Sequence, residues 1–183
     1  MIKPPVLSAL NKQIQHEQSN AHAYQAVSLY FGRLNLHGLE AFMARQVDEE
    51  RAHADKFIQH VRDRGGEVEL RTVPAPKADF TSPLDAANAV RDQERATTEM
   101  IHRLYELARK EADYALEVLL HWYITEQVEE EKWSGELAVL MEQFQERPGE
   151  VFMRLITGGP SAPRDSRAPR HPEVQKLTQL ESS

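Results

Sequence analysis

The sequence predicts an all-α fold: a four-helix bundle with a long crossover between its second and third helices and a short fifth helix. Four segments carry apolar residues at alternating gaps of three and four, the spacing that lines up side chains on one face of a helix. Helix-favouring Ala, Leu, Glu, Gln and Arg are abundant, and strand signals are weak throughout. A length of 183 residues, with 40% hydrophobic and 28% charged content, suits one folded domain.

The first two helices are predicted at residues 7–31 and 39–60. Asn35 and Gly38 lie between them and are typical turn residues. Two antiparallel helices bring together residues that are equally far from their connecting turn. We therefore expect Glu17 of the first helix to meet Glu50 and His53 of the second at mid-height.

A crossover is predicted at residues 65–80, which contain glycines and prolines and have no helical period. A segment of this length reaches ~50 Å at about 3.3 Å per residue, enough to climb the whole bundle. Ser82 followed by Pro83 predicts the start of the third helix.

The third and fourth helices are predicted at residues 87–108 and 116–144, with Asp113 as the cap of the fourth. Polar residues again interrupt the apolar faces. Glu94 in the third helix and the pair Gln127 and Glu130 in the fourth are nearly equally far from the turn at residues 110–112. This second hairpin therefore also places its polar residues at mid-height.

Six polar side chains are thus expected in the middle of the core: Glu17, Glu50, His53, Glu94, Gln127 and Glu130. Burying four carboxylates together is prohibitive unless a cation neutralises them, which indicates a metal site. Two divalent cations balance the four negative charges, and oxygen-rich ligation with a single imidazole favours iron or manganese over structural zinc. We expect Glu17, Glu50 and His53 to hold the first ion. A bridging Glu50 with Glu94 and Glu130 should hold the second, with the amide as a weaker ligand or hydrogen-bond partner.

Glu50 and His53 form an E-x-x-H motif, a spacing short enough to occur by chance. A second match, Glu99 and His102, flanks the core position Ile101 and should point to solvent. The motif at Glu50 is interpreted as a ligand pair because acidic residues are expected at the same height on other helices.

Composition excludes several functional classes. A formal net charge of −7 argues against general nucleic-acid binding, and the absence of cysteine excludes disulfides and iron–sulfur clusters. No apolar run approaches the length needed to cross a bilayer, and the N-terminal residues lack a secretory apolar region. We therefore expect a cytoplasmic protein with no membrane or nucleic-acid partner.

The chain resembles the bacterial non-haem ferritins over about residues 5–157. The resemblance rests on Glu17 with Tyr24, on the runs at residues 48–53 and 92–94, and on the run at residues 125–131. It implies a ferroxidase centre with two irons per subunit, where Fe(II) is oxidised by oxygen or peroxide and passed inward as mineral. It also implies a hollow homo-oligomeric shell of twenty-four subunits.

The same resemblance suggests a third iron site formed by Glu49, Glu126 and Glu129 with a shared Glu130. The alternative interpretation of these acids is a solvated helix face. The resemblance also assigns Tyr24 a role as hydrogen-bond partner or electron donor during oxygen reduction, although aromatic residues at helical spacing are more often core residues. Trp122 is a weaker candidate for such a role.

Beyond the fourth helix, the apolar stripe within residues 150–157 resembles the short fifth helix of this family. We expect a ferritin-like domain at residues 1–159. Residues 160–183 are rich in Pro, Ser and Arg and are expected to form a disordered tail whose partner is unknown.

Four alternatives come from related or simpler bundles. Bacterioferritins repeat E-x-x-H in the fourth helix and carry a haem-binding Met after the first motif's Glu; here those places hold Glu130 and Arg51, so no haem is expected. A rubrerythrin-like di-iron peroxidase usually adds a cysteine-ligated iron domain, and a Dps-like protective shell that binds DNA does not suit the acidic charge. A merely structural bundle should gain no stability from metal.

Overall fold

The computed structural model of the chain describes residues 2–147 and contains four α-helices in this range. They are α1 (Pro4–Arg33), α2 (His37–Asp63), α3 (Pro83–Lys110) and α4 (Tyr114–Glu146). No strand occurs within residues 2–147, so the predicted all-α bundle is confirmed. The predicted fifth helix at residues 150–157 and the predicted tail lie outside the described residues.

The helix starts follow the capping chemistry of the sequence. Ser82 precedes α3, and its side chain accepts a hydrogen bond from the backbone N–H of Asp85 at 3.1 Å. Asp113 accepts one from the backbone N–H of Leu116 at 3.1 Å, as predicted for the cap of α4. These bonds satisfy backbone N–H groups that have no partner within the first helical turn.

The turn between α1 and α2 differs in one detail from the prediction. Asn35 has a φ of 57°, the left-handed conformation that reverses the chain. Gly38 instead lies in the first turn of α2, which begins at His37. Because Asn tolerates the left-handed region, one residue is enough for this turn and the glycine is not needed.

The crossover spans residues 64–82 and is tied to α1 by side-chain to backbone hydrogen bonds. Asn11, which is buried, donates to the carbonyl of Glu67 at 3.1 Å and accepts from the N–H of Glu69 at 2.9 Å. Gln15 donates to the carbonyl of Thr72 at 2.7 Å. The crossover has no secondary structure to pair its backbone N–H and C=O groups. Side chains of α1 form hydrogen bonds with some of these groups instead.

The helices pack as two antiparallel hairpins, α1 with α2 and α3 with α4, joined along α1 and α3. The antiparallel register of α1 and α3 follows from two contacts, His16 with Thr97 and Asn20 with Gln93. Across α2 and α4, Phe57 stacks on Tyr123 with ring centroids 4.0 Å apart.

Two separate apolar clusters form the core, one toward each end of the bundle. The first contains Tyr24, Phe31, Met43, Val90 and Met141 among others. The second contains Leu10, Phe57, Ile101, Leu116 and Leu120 among others. A layer of buried polar residues lies between them. None of the four helices is long and apolar enough to cross a membrane.

Candidate metal centre

The structure buries all six polar residues that the sequence places at mid-height. None of them exposes more than 6% of its surface: Glu17, Glu50, His53, Glu94, Gln127 and Glu130. All four helices contribute, because each apolar face is interrupted at the same height. Four carboxylates therefore share one dry layer, which is unfavourable for a protein without a bound cation.

Glu17, Glu50 and His53 form the tightest part of this layer. Each offers a ligand atom, and these atoms all lie within 4.8 Å of one another. The Nδ1 of His53 lies 3.8 Å from Oε2 of Glu50. This arrangement joins α1 and α2 and matches the residues expected to hold the first ion.

Within residues 2–147, Glu94 and Glu130 do not belong to a second group of three ligand residues at this close spacing. Their oxygens are instead held by hydrogen-bond donors. Oε1 of Glu94 accepts from the hydroxyl of Tyr24, and Oε2 of Glu94 accepts from Nε2 of Gln127 at 3.2 Å. Oε2 of Glu130 accepts from the indole N–H of Trp133. The expected second ion therefore has its carboxylates nearby but already engaged by neutral donors.

The electrostatics of the layer show the cost of leaving it without a cation. Burial, followed by the charge of Glu50, raises the pKa of Glu17 well above its usual range. Burial and the charge of Glu94 do the same to the pKa of Glu50, and burial with the charges of Glu94 and Glu50 raises the pKa of Glu130. The pKa of Glu94 is also raised by burial, against the hydrogen bonds from Tyr24 and Gln127. Each shift favours the neutral acid, so protons substitute for the positive charge.

Among the six expected site residues, one buried carboxylate oxygen lacks a hydrogen-bond donor. Oε1 of Glu17 accepts a hydrogen bond from Gln13 at 2.8 Å, but Oε2 is buried without a hydrogen-bond donor. A buried oxygen without a partner costs free energy and often marks the place of an ion. The oxygen-rich donor set, its single imidazole and this oxygen all fit iron.

Tyr24 is fully buried at the edge of the layer. Burial and the charge of Glu94 raise the pKa of its phenol well above the usual value, so the hydroxyl keeps its proton and donates a hydrogen bond to Glu94. The ring of Trp133 packs edge-on against Tyr24, with centroids 6.4 Å apart. Tyr24 therefore packs in the core and also contacts an expected ligand.

The acids suggested for a third site are more scattered. Glu126 is buried, Glu49 is half-buried and Glu129 is exposed. Glu49 accepts a hydrogen bond from the side chain of Gln46. In the described part of the chain these acids do not come together as three close ligand groups.

The second E-x-x-H match lies as the sequence suggests. Glu99 and His102 are both exposed. His16 bonds to the hydroxyl of Thr97 at 2.8 Å, and burial together with Arg103 lowers its pKa to about 4. His16 therefore packs between α1 and α3 as a hydrogen-bond partner of Thr97.

Sequence reasoning missed three residues that contact the acidic layer. Gln13 donates to Glu17, Asn20 donates to Oε2 of Glu50 at 3.3 Å, and Trp133 donates to Glu130. Gln13 and Trp133 lie one helical turn from the carboxylate that they contact, so a search at three and four residues from each ligand would have found them. Asn20 is one turn from Glu17 but contacts Glu50 on α2, so only the helix packing reveals its role.

Comparison with known proteins agrees with this geometry. The family model described as a ferritin-like domain matches residues 7–144. The chain belongs to the ferritin family.

Curated relatives of this ferritin include the bacterial non-heme ferritin of Staphylococcus aureus strain USA300. It is 40% identical over 131 residues, which is 72% of this chain and 79% of the relative. The corresponding protein of Staphylococcus haemolyticus is 39% identical over the same length.

Solved structures similar to this ferritin include the open pore ferritin of Archaeoglobus fulgidus. It shares 35% identity and a TM-score of 0.81, covering 85% of this chain and 95% of that one. A PmFTN variant soaked in iron shares 28% identity and a TM-score of 0.80, covering 86% and 100%. As a ferritin, the present chain is an iron-binding, iron-storing protein that assembles with copies of itself.

Proposed function

We propose that this ferritin is a ferroxidase that oxidises Fe(II) to Fe(III) at a pair of iron sites in the acidic layer. Glu17, Glu50 and His53 bind the first iron. Glu50 bridges to the second, which Glu94 and Glu130 complete, with Gln127 beside them. The observation that carries this proposal is the convergence of four buried carboxylates with one imidazole, together with the unpartnered oxygen of Glu17.

Iron is the substrate in this reaction. Two Fe(II) ions give up one electron each, and dioxygen takes the two electrons and two protons to become hydrogen peroxide; with peroxide as oxidant, the two electrons and two protons yield two waters. The protein supplies a dry site in which four negative charges stabilise the higher charge of Fe(III). Since the second ion lacks an imidazole and competes with hydrogen bonds from Tyr24 and Gln127, it binds less firmly than the first.

Tyr24 is the residue that we propose to assist oxygen reduction. Its hydroxyl lies against Glu94, so it reaches the second iron through a ligand and not directly. It orients that carboxylate and is placed to lend an electron and a proton to the oxygen species. A further Fe(II) and a proton from water restore the tyrosine, so iron remains the net electron donor.

We also propose a third iron site at Glu49, Glu126 and Glu129 with Glu130 shared. It would take iron that leaves the paired sites. Glu49 lies next to Glu50 in sequence, and Glu126 and Glu129 are neighbours of Glu130 on α4, which supports their placement beside the centre.

The proposed assembly is a hollow shell of twenty-four copies in the cytoplasm, built from a domain at residues 1–159, with residues 160–183 as a tail. Large apolar side chains on the outside of the bundle support contacts between copies. Leu70 is 72% exposed, and Val118 and Val128 are each 70% exposed. Sedimentation of the purified protein should give a particle about twenty-four times the chain mass.

The experiment that tests the ferroxidase is anaerobic loading with Fe(II), followed by oxygen, with ferric absorbance recorded over time. Glu50→Ala should abolish the fast phase because it removes the ligand shared by both ions. Glu99→Ala is the matched control, since it removes an exposed glutamate from the other E-x-x-H match. Equal rates in the two variants would contradict the proposal.

A further inference from the structure

We propose that Trp133 is a positioning residue for the second iron. Its indole N–H holds Oε2 of Glu130, so that the carboxylate presents Oε1 to the metal in a set direction. This inference rests on the proposed ferroxidase, because it assigns Glu130 to the second ion.

The hydrogen bond follows from burial. Trp133 lies one turn beyond Glu130 on α4 and is 9% exposed. An indole N–H is a donor only, and a buried one needs an acceptor. Glu130 is equally shielded from water, so bulk solvent does not compete for either partner.

The indole itself is held by rings from two other helices. Tyr24 on α1 packs against it at 75° between ring planes, and Phe42 on α2 does so with centroids 5.2 Å apart and also at 75°. Turning the indole would break both edge-to-face contacts. The direction of the N–H, and with it the orientation of Glu130, is therefore set by the packing of three helices.

Trp122, the other tryptophan of this chain, provides a natural comparison. Its ring lies against His53, with centroids 5.5 Å apart, and the ammonium group of Lys56 lies 3.8 Å from its ring centre. Trp122 contacts an expected ligand of the first ion through a T-shaped ring contact, whereas Trp133 contacts an expected ligand of the second through a hydrogen bond. The two tryptophans therefore report on different ions.

The first test is a calorimetric titration of the metal-free shell with Zn(II), a redox-inert probe, in wild type, Trp133→Phe and Trp122→Phe. Trp133→Phe keeps an aromatic ring and removes the donor. We expect it to weaken binding of the second zinc by roughly 10–100-fold, the usual cost of losing a partner that orients a ligand, while the first changes by less than about twofold. Trp122→Phe should leave the second affinity within about twofold.

A second measurement uses the fact that each variant keeps a single tryptophan. In Trp122→Phe, emission from Trp133 should change with the second equivalent of zinc. In Trp133→Phe, emission from Trp122 should change with the first. The Trp122→Phe signal decides the matter even if Trp133→Phe does not fold.

The outcomes separate this inference from the function on which it rests. A wild-type shell that fails to take two zinc ions per subunit contradicts the paired site itself. A wild type that takes two, with the second binding equally well in Trp133→Phe, overturns only the role of Trp133. Emission from Trp133 that follows the first equivalent, or neither, overturns it as well.

Discussion

The hydroxyl of Tyr24 on α1 donates a hydrogen bond to Oε1 of Glu94 on α3, although the two residues are 70 positions apart in sequence. The bond links the two helical hairpins at the height of the acidic layer. The phenol of Tyr24, which can be oxidised, therefore contacts an expected iron ligand directly.

Replacing Tyr24 with Phe should slow iron oxidation by about 10-fold, because the ring stays but Glu94 loses its donor and the site loses a source of a proton and an electron. Stopped-flow absorbance after mixing the Fe(II)-loaded protein with oxygen would measure this. Tyr30→Phe is the control, since Tyr30 is buried in the same apolar cluster away from the expected ligands. Similar rates in the two variants would argue against a role for Tyr24.

The stability that the four buried glutamates give to the metal-free protein should fall as pH rises above about 4.5, the ordinary carboxyl value. The lowered pKa of His16 acts in the opposite direction up to its ordinary value of 6.5, so the net fall is expected above that pH. The four buried glutamates have raised pKa values in the folded state, so the folded chain binds more protons than the unfolded one. Their stabilising contribution is complete below the unfolded pKa and is lost as pH rises through the folded pKa. Denaturant midpoints between pH 6.5 and pH 8 would measure this trend.

Adding Zn(II) should reverse that trend, because the cation binds the ionised carboxylates of the folded state only. Glu17→Gln should show a flatter pH dependence without metal, since one of the titrating groups is gone. A metal-free wild type that grows more stable from pH 6.5 to pH 8 would be incompatible with carboxylates kept neutral by burial.

At the end of the bundle, Asp113 combines two roles that substitution can separate. It caps α4 and forms an ion pair with Arg64, with Nη1 and Oδ1 2.8 Å apart. Burial opposes ionisation, but hydrogen bonds from Arg64 and from the backbone N–H of Leu116 outweigh it and lower the pKa of the carboxyl.

Asp113→Asn should keep the cap and lose the ion pair, whereas Asp113→Ala should lose both. We expect the Ala variant to be less stable than the Asn variant by about 1 kcal/mol, the typical value of a helix cap. Urea unfolding of the two variants would measure the difference. Equal stabilities would mean that the cap contributes nothing at this position.

Much of the fold could be predicted because its signals are local. Alternating gaps of three and four identify the four helices, and Ser82 and Asp113 announce the starts of α3 and α4 through their own backbone hydrogen bonds. The turn at Asn35 was placed correctly in outline, but the role given to Gly38 was wrong because a single left-handed residue is enough.

The acidic layer was also visible in advance, because polar residues at apolar positions stand out against a regular period. The side chains that donate hydrogen bonds to its carboxylates were harder to predict from the sequence. Asn20 reaches Glu50 on another helix, and Trp133 is held by rings from α1 and α2, so these contacts depend on how the helices rotate and pack.

The sequence by itself determined that four helices bury carboxylates at a common height, since helical periodicity and distance from a turn are properties of the chain. Only the tertiary structure decided which carboxylate oxygens accept a hydrogen bond from a neighbouring donor: both of Glu94, and one each of Glu17, Glu50 and Glu130. That choice depends on side-chain directions across helix interfaces, and such directions are set by close packing among residues distant in sequence.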